Sequence, residues 1–369
     1  MLRKTKTRLG VIATAAAMAL AIGVTSPAYA DPPSGFRDLV GTGSDTTQDI
    51  LNGLALVVPA IGSYNALPAG QIQTRLGGPL FNRPNGSNQG QFSLSASIND
   101  TGTRVWPAAG GVSITDQIDF ARSSNGPLST APGTALTFIP FALDAVTYAV
   151  SAASDWPRDI ALGSASQDAI VPRPFTLRNI YNGNVQTYVD SDFINVPIRA
   201  LIPQTGSGTR SFWVGAMGGV GVATDIANTV QEHNGTFVTQ KGDIVPFSIA
   251  QYIAQGNHGS LNPLASVVER RGNIELGNID TIKPLLPAAA GGVQLNADFP
   301  VQRLVFNVVE TARLAPAALA PEDVLLRATF AGPTSTICAA TATIIQYGFG
   351  TIGSLCGNTT SFTQALRFS

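Results

Sequence analysis

Charge is scarce in this chain. Asp, Glu, Lys and Arg make up 12% of its 369 residues, and 22 basic side chains face 23 acidic ones. A general nucleic-acid binder needs a basic face, so that class is excluded. Histidine occurs only as His233 and His258, and neither Glu232-His233 nor Asn257-His258 has the spacing of a metal site. Aromatic residues reach only 7%, low for a protein that stacks sugars on rings, so Trp106, Trp156 and Trp213 read as core or hinge packing. Cysteine is limited to Cys338 and Cys356. No internal repeat and no low-complexity tract occur beyond the first residues.

One long apolar run is present, Leu9 to Val24. Arg3, Lys4, Lys6 and Arg8 precede it, and Ala28-Tyr29-Ala30 follows before Asp31. Basic start, short apolar core and small-x-small site are the pattern of a cleaved signal peptide over residues 1–30 rather than of a membrane anchor. No cysteine stands near the cleavage site to carry a lipid, so the expected location is secreted or periplasmic. Without that segment, 18 basic residues face 23 acidic ones, a net charge of −5. About 340 residues remain, more than one core usually holds, so two lobes are expected. Export favours joining Cys338 to Cys356, a staple contributing about 3 kcal/mol for a loop of this size. A metal or catalytic thiol pair is the alternative, and no nearby histidine supports it.

Apolar spacing sketches the rest. Asp45, Thr46 and Thr47 cap a helix carrying Ile50, Leu51, Leu54, Val57 and Ile61. Ile118 to Ser124 reads as a strand end emptying into a polar loop, and Ala145 to Val150 as a buried strand. Thr176 to Tyr181 has the capped start of a short helix. Val196 to Ile202 is β-rich and feeds Thr205-Gly206-Ser207-Gly208-Thr209-Arg210, which opens onto another helix. Ile244 to Ala254 and Val301 to Val309 are further apolar runs. Strands alternating with helices give an α/β fold, whose ligands sit where strand ends meet polar loops.

The glycine turn is the most suggestive of these loops. Gly206 and Gly208 free the backbone to turn successive N–H groups toward one point, and Ser207 and Thr209 add hydroxyls. A helix start adds unpaired N–H groups and the positive end of a dipole, which together suit a small anion. Gly-Ser-Gly also builds ordinary loops, and the residues alone leave both readings open. Gly41 to Thr46 and Asn85 to Ser87 resemble it in composition.

In order and spacing these segments resemble the phosphate-binding proteins of ABC importers, which have the two-lobed type II periplasmic binding-protein fold. The family's first glycine loop resembles Gly41 to Thr46, its Gly-Ser-Ser-Gly turn Gly86 to Gly90, and its strand-end motif Phe120 to Ser129. Its hinge strand resembles Ile139 to Val150, its short helix Phe175 to Gly183, and its Asp-Gly-Ser-Gly-Thr turn Thr205 to Thr209. The resemblance covers most of residues 36 to 310. It implies Ser87, Ser207, Gly208 and Thr209 as anion ligands. Asp45, with Thr46 beside it, falls where the family has a threonine. Ser124 falls at the family's aspartate, which accepts the proton of hydrogen phosphate. Pro203 falls at its anion-pairing arginine, a loss of a few kcal/mol unless replaced. Arg210, Arg122 and Arg83 are the candidate replacements, and Asp45 the candidate proton acceptor. Arg210 also reads as a solvent-facing charge at a helix start.

The resemblance implies one lobe of residues 36–150 plus 299–369, a second of 151–298, and two hinges between them. The expected function is capture of phosphate or a similar oxyanion, by a monomer without cofactor or metal, for a membrane permease. The alternative is a secreted interaction or sensing protein with the same fold and no transport role. A secreted phosphoester hydrolase is a third class. Ser207 lacks the Gly-x-Ser-x-Gly elbow, and both histidines read as surface residues, so no catalytic function is expected.

Overall fold

The structure, a computed structural model, describes residues 31, 35–127, 135–221, 224–225, 231–259 and 263–366. The expected signal peptide and the end of the strand-end motif, Leu128 and Ser129, lie outside the described residues.

A ten-stranded sheet organises the chain. One lobe is built on β1 (Leu39–Gly43), β2 (Ile61–Ser63) and β3 (Phe120–Ser123), with β1 parallel to both neighbours. The other is built on β5 (Arg199–Ile202), β6 (Thr224–Asp225) and β7 (Asp243–Ser248), again with parallel pairing about β5. Two strands join them. β4 (Leu136–Ser151) pairs with β9 (Gln302–Glu310) along its first part and with β7 and β8 (Ile274–Leu276) along its last. A short β10 (Thr363–Gln364) adds to the start of β4. Nearly every residue of β4 is buried, so its sequence is mostly apolar on both faces rather than alternating, with Thr137, Asp144 and Thr147 as buried polar positions.

Helices cover both sheet faces. α1 (Gln48–Val57) buries Ile50, Leu51 and Leu54 as its spacing predicts. Val57 departs from that expectation and is 57% exposed, because the helix stops there and Ile61 already belongs to β2. α2 (Ser87–Ile98) lies against β3, and α3 (Leu177–Tyr181) starts at Thr176, whose side chain accepts from Asn179 N. α4 (Gly208–Met217) and α5 (Ile249–Asn257) follow β5 and β7 directly. Tyr181 and Trp213 meet edge to face at 5.4 Å in the second lobe's core, and all three tryptophans are buried.

The C-terminal stretch binds the two lobes on one side. α6 (Pro321–Phe330), α7 (Thr336–Ala339) and α8 (Thr341–Gln346) pack beside α1, and the Cys338–Cys356 disulfide closes this stretch with Cα atoms 5.8 Å apart. Leu51 and Leu54 share one apolar core with Ile344, Tyr347 and Phe349, and also with Ala250, Leu264 and Val267 of the other lobe. The Tyr347 ring lies where a Cβ on Gly53 would stand, so only glycine admits it. Asn257 donates to the Gln346 carbonyl at 3.1 Å, and Gly350 exchanges backbone bonds of 2.8 Å with Leu143 of β4. Replacing both cysteines by serine lowers the unfolding free energy by about 3 kcal/mol. The readout is the urea midpoint at constant slope, and an unshifted midpoint contradicts the stapling role.

Candidate functional site

The loops that leave β1 and β3 emerge side by side because Gly43 and Arg122 are register partners. An isolated bridge from Gly43 to Asn85 brings the start of α2 to the same place. Three serines meet there. Ser44 Oγ donates to Ser124 Oγ at 3.2 Å, Ser87 Oγ lies 3.2 Å from Ser124 Oγ, and Ser124 N donates to Ser87 Oγ at 3.0 Å. The glycine turn of the other lobe closes on them. A Cβ at Gly208 would run into the Ser87 and Ser124 hydroxyls, so this approach requires glycine. Asn88 N donates to the Gly206 carbonyl at 3.2 Å, and the Thr46 and Thr209 hydroxyls are 3.1 Å apart. The beginnings of α2 and α4 thus bring their positive dipole ends together beside that of α1. Asp45, Thr46, Ser87, Ser124, Ser207, Gly208 and Thr209 are all buried around this point.

The expected cations are not there. Arg210 Nη1 turns back to the Pro203 carbonyl at 2.8 Å, and its own N–H is bound by Ser207 Oγ at 2.9 Å, which caps α4. Arg83 pairs with Asp31 and donates to the Asn65 carbonyl at 2.7 Å. Arg122 is fully buried and donates to the Ser44, Tyr64, Gly43 and Gly41 carbonyls at 3.0, 2.6, 3.3 and 3.4 Å, and to Ser63 Oγ at 3.0 Å. Burial lowers its pKa to about 10, so it stays charged at neutral pH while supporting the loop backbone. All three arginines named as replacements for the missing one therefore bind parts of the protein itself.

Two carboxylates stand at the junction instead. Asp45 accepts from Thr46 N and from Glu232 N, each at 3.1 Å, and Glu232 Oε1 accepts from Thr46 Oγ1 at 2.8 Å. Burial, and then the neighbouring Glu232, push the Asp45 pKa well above the usual carboxylate range. Glu232 was not legible as a site residue, since its dipeptide with His233 signals only a metal pattern that fails. His233 corrects a second expectation. It is buried, not a surface residue, with Nε2 2.7 Å from Arg270 Nη2, and burial holds its pKa well below the usual value. Arg270 reaches Asp49 of α1 at 3.7 Å.

A buried ion pair lies behind the loops. Arg303 of β9 donates through Nε and Nη2 to Asp144 Oδ2 of β4 at 3.0 and 2.8 Å. Asp144 Oδ1 accepts from Ser248 Oγ and Ala250 N at the start of α5, at 2.9 and 3.2 Å. Gln251 then donates to the Thr46 carbonyl at 2.6 Å. Sequence reasoning missed this chain, although a charge inside each apolar strand run was a usable signal. Thr47 Oγ1, Glu232 Oε2, Gln251 Oε1 and Arg303 Nη1 are buried there with no hydrogen-bond partner. Neither histidine is bonded to Ser207: His258 accepts from Leu264 N at 3.0 Å, so no serine–histidine pair forms among the described residues.

No protein-family model matches the chain, and no curated protein matches it. Solved structures do. A high affinity periplasmic phosphate-binding protein (PfluDING), bound with phosphate, is 12% identical, with TM-score 0.52 over 86% of this chain and 91% of that one. An ABC-type phosphate transport receptor from Vibrio cholerae is 14% identical, with TM-score 0.46 over 85% and 100% of the two chains. A human phosphate binding apolipoprotein is 15% identical, with TM-score 0.46 over 86% and 91%. The first of these shows that the two-lobed α/β fold is shared.

The buried carboxylates near the loops give the protein a pH signature. Burial raises Asp49 from 3.8 to about 6 in the folded chain. Its contribution is fully present below the unfolded value and is lost as pH rises through about 6, because the folded state then gives up a proton it holds more tightly. Asp49→Asn is therefore expected to gain stability relative to the parent across that window. Urea unfolding of both proteins over a pH series checks it, and a difference independent of pH contradicts the assignment.

Proposed function

We propose that this protein is an exported solute-binding protein that holds phosphate or a similar oxyanion between its lobes and passes it to an ABC permease. One observation carries the reading: Ser44, Ser87, Ser124, Thr46 and Thr209 bring their hydroxyls together beside the Gly208 backbone where helix starts converge. Residues 36–150 with 299–369 form the first lobe and 151–298 the second, with the cleft ligands Asp45, Thr46, Ser87, Ser124, Ser207, Gly208 and Thr209 divided between them. Arg210 drops out of that set as an anion partner, since its guanidinium is turned back to Pro203. The reading calls for binding without chemistry, by a monomer released after its first thirty residues are removed.

A second reading rests on a different observation. The apolar core runs across both lobes through Tyr347 and Phe349, opposite in sense to a cleft that swings open on two strands. That favours a secreted interaction or sensing protein that keeps the lobes and no longer feeds an importer. Permease and ATPase genes beside this one distinguish transport from that role.

Titration calorimetry of ligand-stripped protein with phosphate and sulfate tests oxyanion capture itself. Binding by the parent is expected to weaken about tenfold in Ser87→Ala, about 1.4 kcal/mol for one hydrogen bond to a charged ligand. Gly208→Val is expected to abolish it. No heat from either anion in the parent protein sinks the reading.

A further inference from the structure

Thr46 sits among four side chains whose oxygens are short of partners. Asp45 precedes it and Thr47 follows. Glu232 Oε1 accepts from its hydroxyl at 2.8 Å, and Gln251 Nε2 donates to its carbonyl at 2.6 Å. All five residues are buried, none more than 2% exposed. Thr47 Oγ1, Glu232 Oε2 and Gln251 Oε1 have no hydrogen-bond partner. The Gln251 amide cannot serve its oxygen by turning over, because the Thr46 carbonyl would then face an oxygen instead of an N–H. Glu232 is held by its backbone: its N–H donates to Asp45 at 3.1 Å, and Gln255 binds the carbonyl of the next residue at 3.1 Å. Buried oxygens in this state cost stability unless something positive meets them.

A metal cation fits this group better than a proton does. Asp45 and Glu232 lie side by side out of water, so their charges repel. One proton relieves that repulsion but serves a single oxygen, whereas a metal ion takes several at once. The nearby guanidiniums are engaged elsewhere: Arg270 with His233 and Asp49, Arg303 with Asp144, Arg122 with loop carbonyls. The donor set also selects the ion. It is all oxygen, and among the described residues no three His, Cys, Asp or Glu side chains gather as a metal cluster. That excludes the nitrogen and sulfur sites of zinc and its neighbours. Two carboxylates, a hydroxyl and an amide carbonyl suit a hard cation. Ca²⁺ accepts about six to eight oxygens in irregular geometry. Mg²⁺ demands a regular octahedron and keeps much of its water, which a place shielded from solvent does not offer.

We propose that Asp45, Glu232, Thr47 and Gln251 form a binding site for a hard divalent cation of the calcium class. No spacing in the sequence signals it, and it departs from the expectation of a protein without metal. Its ligands are remote along the chain: Glu232 stands 187 positions from Asp45, and Gln251 205 from Thr46. The ion ties the start of α1 to that of α5 and to the buried segment Gln231 to Asn234, so it stabilises the fold. Two carboxylates place its affinity in the range of extracellular calcium modules, about 0.1 to 1 mM. It also sets positive charge beside the Thr46 and Thr209 hydroxyls, a place where Arg83, Arg122 and Arg210 supply none. That last consequence rests on the oxyanion reading above; the cation site itself does not.

The test is calorimetry of the whole protein, stripped with EDTA and kept free of phosphate and sulfate, with calcium chloride and with magnesium chloride. The parent is expected to bind about one calcium ion per chain, at least about tenfold more tightly than magnesium. It is also expected to unfold at a higher temperature with calcium than without. Glu232→Gln and Asp45→Asn are each expected to weaken calcium at least about tenfold. Thr47→Val keeps both carboxylates and the side chain's shape; it is expected to weaken calcium severalfold and guards against a carboxylate variant that fails to fold. Glu322→Gln, at the exposed start of α6, is expected to leave calcium binding unchanged, which separates this site from loose attraction to surface carboxylates. No calcium heat and no thermal shift in the parent, or parent affinity in both Glu232→Gln and Thr47→Val, overturns the proposal and leaves oxyanion capture standing. Sulfate is then titrated with and without calcium. Binding at least about tenfold tighter with calcium is expected, and equal binding overturns the link to the anion alone. Absence of anion heat in both conditions overturns the oxyanion reading and leaves the cation site standing.

Discussion

The guanidinium of Arg122 is the contact on which the site's shape depends. It is completely enclosed and carries a charge at neutral pH; among the described residues no carboxylate is hydrogen-bonded to it, although Asp31, Asp45 and Asp49 lie close enough to favour its charge. Its burial is tolerable because it donates to four backbone carbonyls and a serine hydroxyl, from the glycine loop and from the end of β2. The exchange works in both directions. The loop satisfies the arginine, and the arginine fixes the path of Gly41 to Ser44, so that Ser44 reaches Ser124 and the next residues enter α1. Five donors in one plane suit this task, and a lysine ammonium would not span the same acceptors.

A second rigid element sits where the lobes exchange strands. Asp144 on β4 ties Arg303 on β9 to the start of α5, and α5 in turn holds the Thr46 carbonyl through Gln251. The negative carboxylate at that helix start is favourable for the same dipole reason that makes such starts anion sites. Asp144 answers α5, and Asp45 lies just ahead of α1. The starts of α2 and α4, by contrast, face one another across serine and threonine hydroxyls. On the far side, the disulfide-closed C-terminal stretch and Tyr347 extend one apolar core through both lobes. Motion between the lobes has to work against that core as well as against the loop contacts.

Much of this architecture is local, and local features were legible. The Thr176 cap, the strand end at Phe120 to Ser123 and the turn opening α4 each depend on neighbours a few residues away. The disulfide followed from there being only two cysteines in a chain that reads as exported. What escaped the sequence depends on distant partners. Arg122 meets Ser44 across 78 positions, Asp144 meets Arg303 across 159, and Glu232 meets Asp45 across 187. No spacing rule links residues so far apart. Arg83 and Arg122 turn toward Asp31, Asn65 and the loop carbonyls for that reason, whereas Arg210 turns to the Pro203 carbonyl only seven residues away. His233 looked like a surface residue because the loop's polar composition hides that Gln255 of α5 holds its carbonyl and Arg270 its ring.

The central claim is that the meeting point of the serine loops and the glycine turn is an anion site, although its nearest charges are carboxylates. A crystal structure grown at mildly acidic pH with tungstate, located by its anomalous signal, tests this most directly. The account predicts one tungstate within hydrogen-bond distance of Ser87, Ser124 and Thr209, with Asp45 or Glu232 facing one of its oxygens. Tungstate bound only elsewhere, or none bound while the loops keep their present contacts, would contradict it.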